Sequence, residues 1–186
     1  STPLVLVDGV DVREVKLSDL RDRIGLVPQK GVLFSGTIET NIAYAGNVPD
    51  SETVRWAAKI AQADGFINEK PDGYDSEIAQ GGTNVSGGQR QRLAIARAVA
   101  KRPEIYIFDD SFSALDYATD RALREALQEV AAESTVLIVA QRISTVLNAD
   151  RIIVLDGGRV AGMGTHKELM ENCEEYRQIA LSQLSA

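Results

Sequence analysis

Cysteine and histidine are almost missing from this chain of 186 residues, which holds one of each, Cys173 and His166. A lone thiol makes no internal disulfide, and no basic-then-apolar leader pattern is visible, so the sequence predicts a reducing cytoplasmic setting. A lone imidazole makes no zinc site. His166, within Gly164-Thr165-His166-Lys167-Glu168, reads as a capping or surface residue at a helix start. Long apolar runs are lacking too. The longest, residues 135–140 and 152–155, fall far short of a bilayer span. Positive charge is in deficit: the formal net charge is −7, which opposes the phosphate neutralisation that nucleic-acid binding needs. Nucleic acid is therefore not an expected partner. Finally, no Gly-x-x-x-x-Gly-Lys-Ser/Thr loop occurs and no glycine is followed by lysine, so a phosphate cradle of that kind is not in this sequence.

What is present suffices for one core. With 44% hydrophobic and 25% charged residues, the chain reads as a single globular domain without repeats, low-complexity runs or linkers. Residues 4–7 and 24–28 are short, apolar and β-branched, with a turn at Asp8-Gly9, and read as strands. Residues 37–45, 52–63 and 88–101 carry apolar positions at helical spacing, among them Val54, Ala57, Ala58, Ala61 and Leu93, Ile95, Ala96, Val99. From Glu104 the pattern runs strand 105–108, helix 119–132, strand 135–139, strand 151–155 and strand 159–161. A strand, a helix and a second strand in succession predict a parallel α/β sheet. The helix over 119–132 aligns Ala122, Leu123, Ala126, Leu127 and Val130 on one stripe suited to a core. Amphipathic helices at 166–171 and 174–184 close the domain.

Two segments carry chemistry. Val85-Ser86-Gly87-Gly88-Gln89-Arg90-Gln91-Arg92 opens a helix. Ser86 offers a hydroxyl, the glycines let backbone amides approach an oxyanion, and the helix N-terminus adds positive potential. An ordinary helix cap would use the same residues. Downstream, Ile105-Tyr106-Ile107-Phe108-Asp109-Asp110 has the form of a buried strand ending in carboxylates, which suits presentation of an acid to Mg²⁺. A turn-capping aspartate would explain one acid and not the pair followed by Ser113-Ala114-Leu115-Asp116.

In that order and spacing, the signature helix, the Walker B strand and the Ser-Ala-Leu-Asp D-loop resemble the nucleotide-binding domains of ABC transporters. The resemblance covers nearly the whole chain. Val27-Pro28-Gln29 resembles the family's Q-loop. Val32-Leu33-Phe34-Ser35-Gly36-Thr37-Ile38 with Asn41-Ile42 is similar to the segment that follows it in exporters, and Glu77-Ile78-Ala79-Gln80-Gly81-Gly82 matches the loop touching their transmembrane coupling helices. The implied fold is α/β: a P-loop ATPase-type parallel sheet core with a helical signature subdomain at about 37–101. The ATPase core and C-terminal helices take 1–36 and 102–186, and the N-terminal part is incomplete.

The resemblance also implies roles. Ser86, Gly87, Gly88 and Gln89 would bind the γ-phosphate of ATP held by the opposite subunit. Asp109 would orient Mg²⁺ through water, Gln29 would contact the metal or the attacking water, and Asp116 would face the partner across the dimer. The expected partners are a second nucleotide-binding domain and the transmembrane domains of an exporter, at the cytoplasmic face of the cell membrane.

The sequence departs from the family in three places. Glu usually follows the Walker B aspartate, whereas this chain has Asp110, one methylene shorter, and a general base must reach its water at about 2.6–3.2 Å. Where the family's switch loop has His, Val139-Ala140-Gln141-Arg142-Ile143-Ser144-Thr145 has Gln141, which can donate to phosphate and cannot relay a proton. Together these changes resemble the degenerate half of a heterodimeric exporter. The absent Walker A loop implies a truncated form or fragment, inactive alone, whose sheet lacks a middle strand and exposes apolar edges. Arg90, Arg92 and Arg97 read as packing or ion-pair residues, Trp56 as packing and Cys173 as a helix-end residue.

Overall fold

The structure is a computed structural model and describes residues 4–44 and 49–184. Asp8 and Gly9, both with positive φ, turn β1 (Leu6–Val7) back on β2 (Val10–Asp11) as an antiparallel hairpin. Then come α1 (Leu17–Asp22), β3 (Ile24–Val27), β4 (Gly36–Thr37), α2 (Ile38–Ile42), α3 (Ser51–Ile60), α4 (Asp64–Asn68) and β5 (Glu77–Ile78). The second half holds α5 (Gly87–Ala100), β6 (Ile105–Asp109), α6 (Tyr117–Ala131), β7 (Thr135–Val139), α7 (Ile143–Val146), β8 (Ile152–Asp156), β9 (Arg159–Gly164), α8 (His166–Asn172) and α9 (Glu174–Leu184).

The chain divides into two compact units, Ser1–Val139 and Ala140–Ala186. In the first, β3, β6 and β7 form a parallel sheet in that order, with Ile24 opposite Ile105 and Ile105 opposite Thr135. The expected α/β class with a parallel sheet is what the chain adopts. Its core is continuous from the sheet, through Val27, Tyr106 and Phe108, to the helices, through Ile38, Val54, Ala57, Leu93, Ile95 and Leu123. Helices α3 and α5 pack together in this core, and both contribute small buried residues, Ala57 and Ala58 from α3 and Ala94, Ala96 and Ala98 from α5. In the second unit β8 and β9 are antiparallel across Gly157-Gly158, and Ile152, Val154, Leu169, Cys173, Tyr176 and Ala180 pack together.

Several boundaries differ from expectation. The helix over 37–45 is only Ile38–Ile42 and Thr37 caps it; Ala45 lies outside the described residues. The first strand is confined to Leu6–Val7, and the last extends to Gly164 because its pairing with Ile152 continues that far. Helices α1, α4 and α7, at most six residues each, carry too few apolar positions to show a period. His166 does not cap α8. Thr165 does, through Glu168 N, while His166 is half-buried with Nδ1 2.8 Å from the hydroxyl of Tyr176.

Candidate functional site

The N-terminus of α5 is set by a reciprocal cap. Ser86 Oγ accepts from Gln89 N at 3.1 Å, and Gln89 Oε1 accepts from Ser86 N at 3.3 Å. This satisfies part of the helix's first turn without closing it, because the Ser86 hydroxyl proton and the Gln89 Nε2 remain donors. Ser86 and Gly87 are exposed. A Cβ built on Gly87 would meet nothing within 4 Å, so the chain is open to solvent on that side of Gly87. One on Gly88 would sit 3.4 Å from Ala114 O, so glycine there keeps α5 close to the 113–116 turn. The structure therefore shows a helix cap here, and a capped helix N-terminus can also donate to an anion.

Strand β6 delivers its carboxylates at one edge of this unit. Tyr106 and Phe108 anchor the strand in the core, Asp109 ends it exposed, and Asp110 follows at φ 47°, a left-handed conformation that aspartate tolerates better than most residues. Asp110 N donates to Val139 O at 2.8 Å, and buried Ser111 Oγ donates to Val27 O at 2.8 Å, tying the turn to the neighbouring strands. From the loop after β3, Gln29 Nε2 donates to Asp110 Oδ2 at 3.2 Å. Two residues 81 positions apart in sequence are thereby brought together at the open end of the sheet.

Asp116 is exposed and caps α6, accepting from Thr119 N at 2.9 Å and Thr119 Oγ1 at 2.8 Å. The backbone bond from Thr119, seconded by its hydroxyl, holds the Asp116 carboxyl below the usual carboxylate range. Of the arginines on α5, Arg92 donates to Gln62 O at 2.8 Å and lies over Phe66, and Arg97 donates to Asn41 O and Val32 O, both at 2.8 Å. Burial pushes both guanidinium pKa values down. Both are packing residues as expected, and the partners seen are carbonyls. Trp56 packs against the core with the Arg102 guanidinium 4.1 Å from its ring centre.

Gln141 belongs to the C-terminal unit. It is exposed, and its carbonyl accepts from Gln183 Nε2 at 2.7 Å while Gln183 Oε1 accepts from Ile143 N at 2.8 Å. The side chain of α9 thus fixes the backbone that carries Gln141.

Sequence reasoning missed three residues that shape this region. Gln91, 2% exposed, binds the backbone on both sides of Gln29. Asn41 accepts from Phe34 N and donates to Phe34 O, holding the 34–41 segment against Arg97. Asn84 accepts from Ala79 N and donates to Glu77 O, closing the loop before α5. Their local sequence gives little signal: Gln91 lies between two arginines, Asn84 in a Gly-rich turn, and Asn41 before Ile42.

No cluster of three or more His, Cys, Asp or Glu suited to a metal ion occurs among the described residues. Asp109, with Gln29 and Asp110 at hand, fits a magnesium ion carried mainly by phosphate oxygens, which needs only one or two protein carboxylates.

A family model described as ABC transporter matches residues 4–113, and the chain belongs to the ABC transporter family. It is 51% identical over 183 residues to an uncharacterized ABC transporter ATP-binding protein of Mycobacterium tuberculosis, covering 96% of this chain and 31% of that protein. It is 43% identical to the ATP-dependent lipid A-core flippase of Haemophilus influenzae, covering 97% and 31%. A bacterial Atm1-family ABC exporter solved with ATP bound superposes with a TM-score of 0.94 at 39% identity, covering 98% of this chain and 32% of that one. The similarity is therefore to exporter ATP-binding domains, and the chain spans about a third of the length of these relatives. No described helix is long and apolar enough to cross a membrane.

Proposed function

We propose that this chain is the ATP-binding, energy-coupling part of an exporter working at the cytoplasmic face of the cell membrane, paired with a second such domain. The observation that carries the reading is the Gln29–Asp110 contact at the end of β6, in a unit that also bears an open helix N-terminus at Ser86-Gly87. The first is a place to orient a metal-bound phosphate and its attacking water. The second is an exposed, capped helix N-terminus that can donate to a phosphate, which suits a site completed by another subunit's ATP. Magnesium would neutralise phosphate charge, and Asp109 and Gln29 are the residues that would hold it. Ser86, Gly87, Gly88 and Gln89 donate to the partner's γ-phosphate, and Asp116 faces that partner. ATP held between two domains closes them, and closure drives the membrane domains between access states.

The helical part at about 37–101 acts as the subdomain that meets the membrane domains. Exposed Phe34 and Tyr44, stacked with ring centres 4.5 Å apart, and the loop 77–82 are the surface we assign to that contact. In the complete transporter, Gly87→Glu places a carboxylate in the anion site, and steady-state ATP turnover falls by at least about tenfold. Unchanged turnover would sink the assignment of the signature.

Asp110 and Gln141 favour a narrower version, a heterodimer in which this chain's own site holds ATP without hydrolysing it. Restoring Asp110→Glu together with Gln141→His raises turnover of the complete heterodimer; unchanged turnover counts against the degenerate site.

A further inference from the structure

Gln91 lies among the buried apolar residues of α5 and is itself 2% exposed. An amide buried without partners is destabilising, and a leucine would fill the same helix face without that cost. Both ends of this amide are used. Oε1 accepts from Gly31 N at 2.9 Å and Nε2 donates to Pro28 O at 3.1 Å, across 60 and 63 residues of sequence. The two backbone groups flank Gln29 and Lys30, so the side chain ties the base of the loop whose exposed tip reaches Asp110. Gly31 reinforces the tie: a Cβ there would come within 2.9 Å of Ala94 Cβ and 3.2 Å of Arg90 O, so the loop lies directly on the α5 backbone.

Gln91 sits near the start of α5, whose N-cap is Ser86 and whose first residues are Gly87, Gly88 and Gln89, about one turn before it. We propose that Gln91 is a positioning residue that locks the Gln29 loop to the signature helix, so that the two ATP sites of the dimer are mechanically joined through one buried amide. This rests on the ABC reading above, in which Gln29 serves this chain's own nucleotide and the signature serves the partner's. A shift of α5 on binding the partner's phosphate then moves Gln29 against Asp110, and the reverse. Two sites sharing one rigid element are coupled by a measurable free energy.

The test is a double-mutant cycle on the complete transporter, reading kcat and KM for ATP. Gln91→Met removes both hydrogen bonds at similar volume, and Gly31→Ala wedges a methyl between the loop and α5, against Ala94, Arg90 O and Gln91 Oε1, without changing the Gln91 side chain itself. Each is expected to lower kcat by about tenfold with KM changed by less than about twofold, as loss of positioning does. Combined with Gln29→Ala, either should add little beyond the single change, because all three act on the same contact. Full multiplication of the Gln29→Ala effect by both variants would overturn the proposal, as would wild-type kcat in Gln91→Met. If Gln91→Met does not fold, Gly31→Ala decides alone. Gly87→Glu is measured in parallel. If it too leaves turnover intact, the ABC site reading itself has failed; if it abolishes turnover while the cycle is multiplicative, only the tie has failed.

Discussion

The apolar residues of helix α5 and of strand β7 have opposite fates. In α5, Leu93, Ala94, Ile95, Ala96, Ala98, Val99 and Ala100 are all at most 5% exposed. In β7, Val136, Leu137 and Val139 stand 36%, 52% and 51% exposed, and only Ile138 is packed against the core. The difference is one of partners. Helix α5 packs against α2, α3 and β3, whereas β7 is the outermost strand of a three-stranded sheet and, among the described residues, pairs only with β6. Hydrophobicity decides that a segment wants cover; topology decides whether this stretch of chain provides it.

The sharpest way to break the comparison is Leu93→Ala in α5. A fully buried leucine there should cost about 2–5 kcal/mol in a denaturant melt. A loss near zero would mean that α5 is not packed as described. Next is the cap: Ser86→Ala removes the acceptor for Gln89 N and should cost about 1 kcal/mol, with Ser86→Asp recovering most of it. Equal stability of all three proteins would show that the reciprocal cap is not formed. Smallest is Leu137→Ala on β7, expected within about 0.5 kcal/mol in this chain. Leu137→Lys should lower self-association by light scattering, since an exposed apolar edge strand invites pairing and a charge blunts it. A destabilisation of Leu137→Ala matching that of Leu93→Ala would erase the distinction between the two segments.

Much of this was legible in the sequence because it is local. The stripe of α6 appears as Leu123 and Leu127 buried with Ala122, Ala126 and Val130 beside them. The start of α5 at Ser86 and the carboxylates at the end of β6 follow from capping chemistry and from an apolar run ending in Asp109-Asp110. What could not be read was long-range. Nothing near Gln91 announces that its amide will bind residues 28 and 31, and nothing near Gln29 announces Asp110. The left-handed backbone at Asp110 and the His166–Tyr176 contact likewise depend on neighbours that only folding supplies. Short helices such as α1 and α7 fix too few residues to leave a period.

The most direct measurement is calorimetric titration with Mg-ATP of this chain, beside a longer chain extended upstream to include a Gly-x-x-x-x-Gly-Lys-Ser/Thr loop. No such loop occurs within these 186 residues, and on the proposed reading the donors at Ser86–Gln89 serve a partner's nucleotide, so no binding heat is expected from this chain alone, and saturable binding from the longer one. Tight, saturable binding by this chain alone would contradict the division of labour on which the whole reading depends.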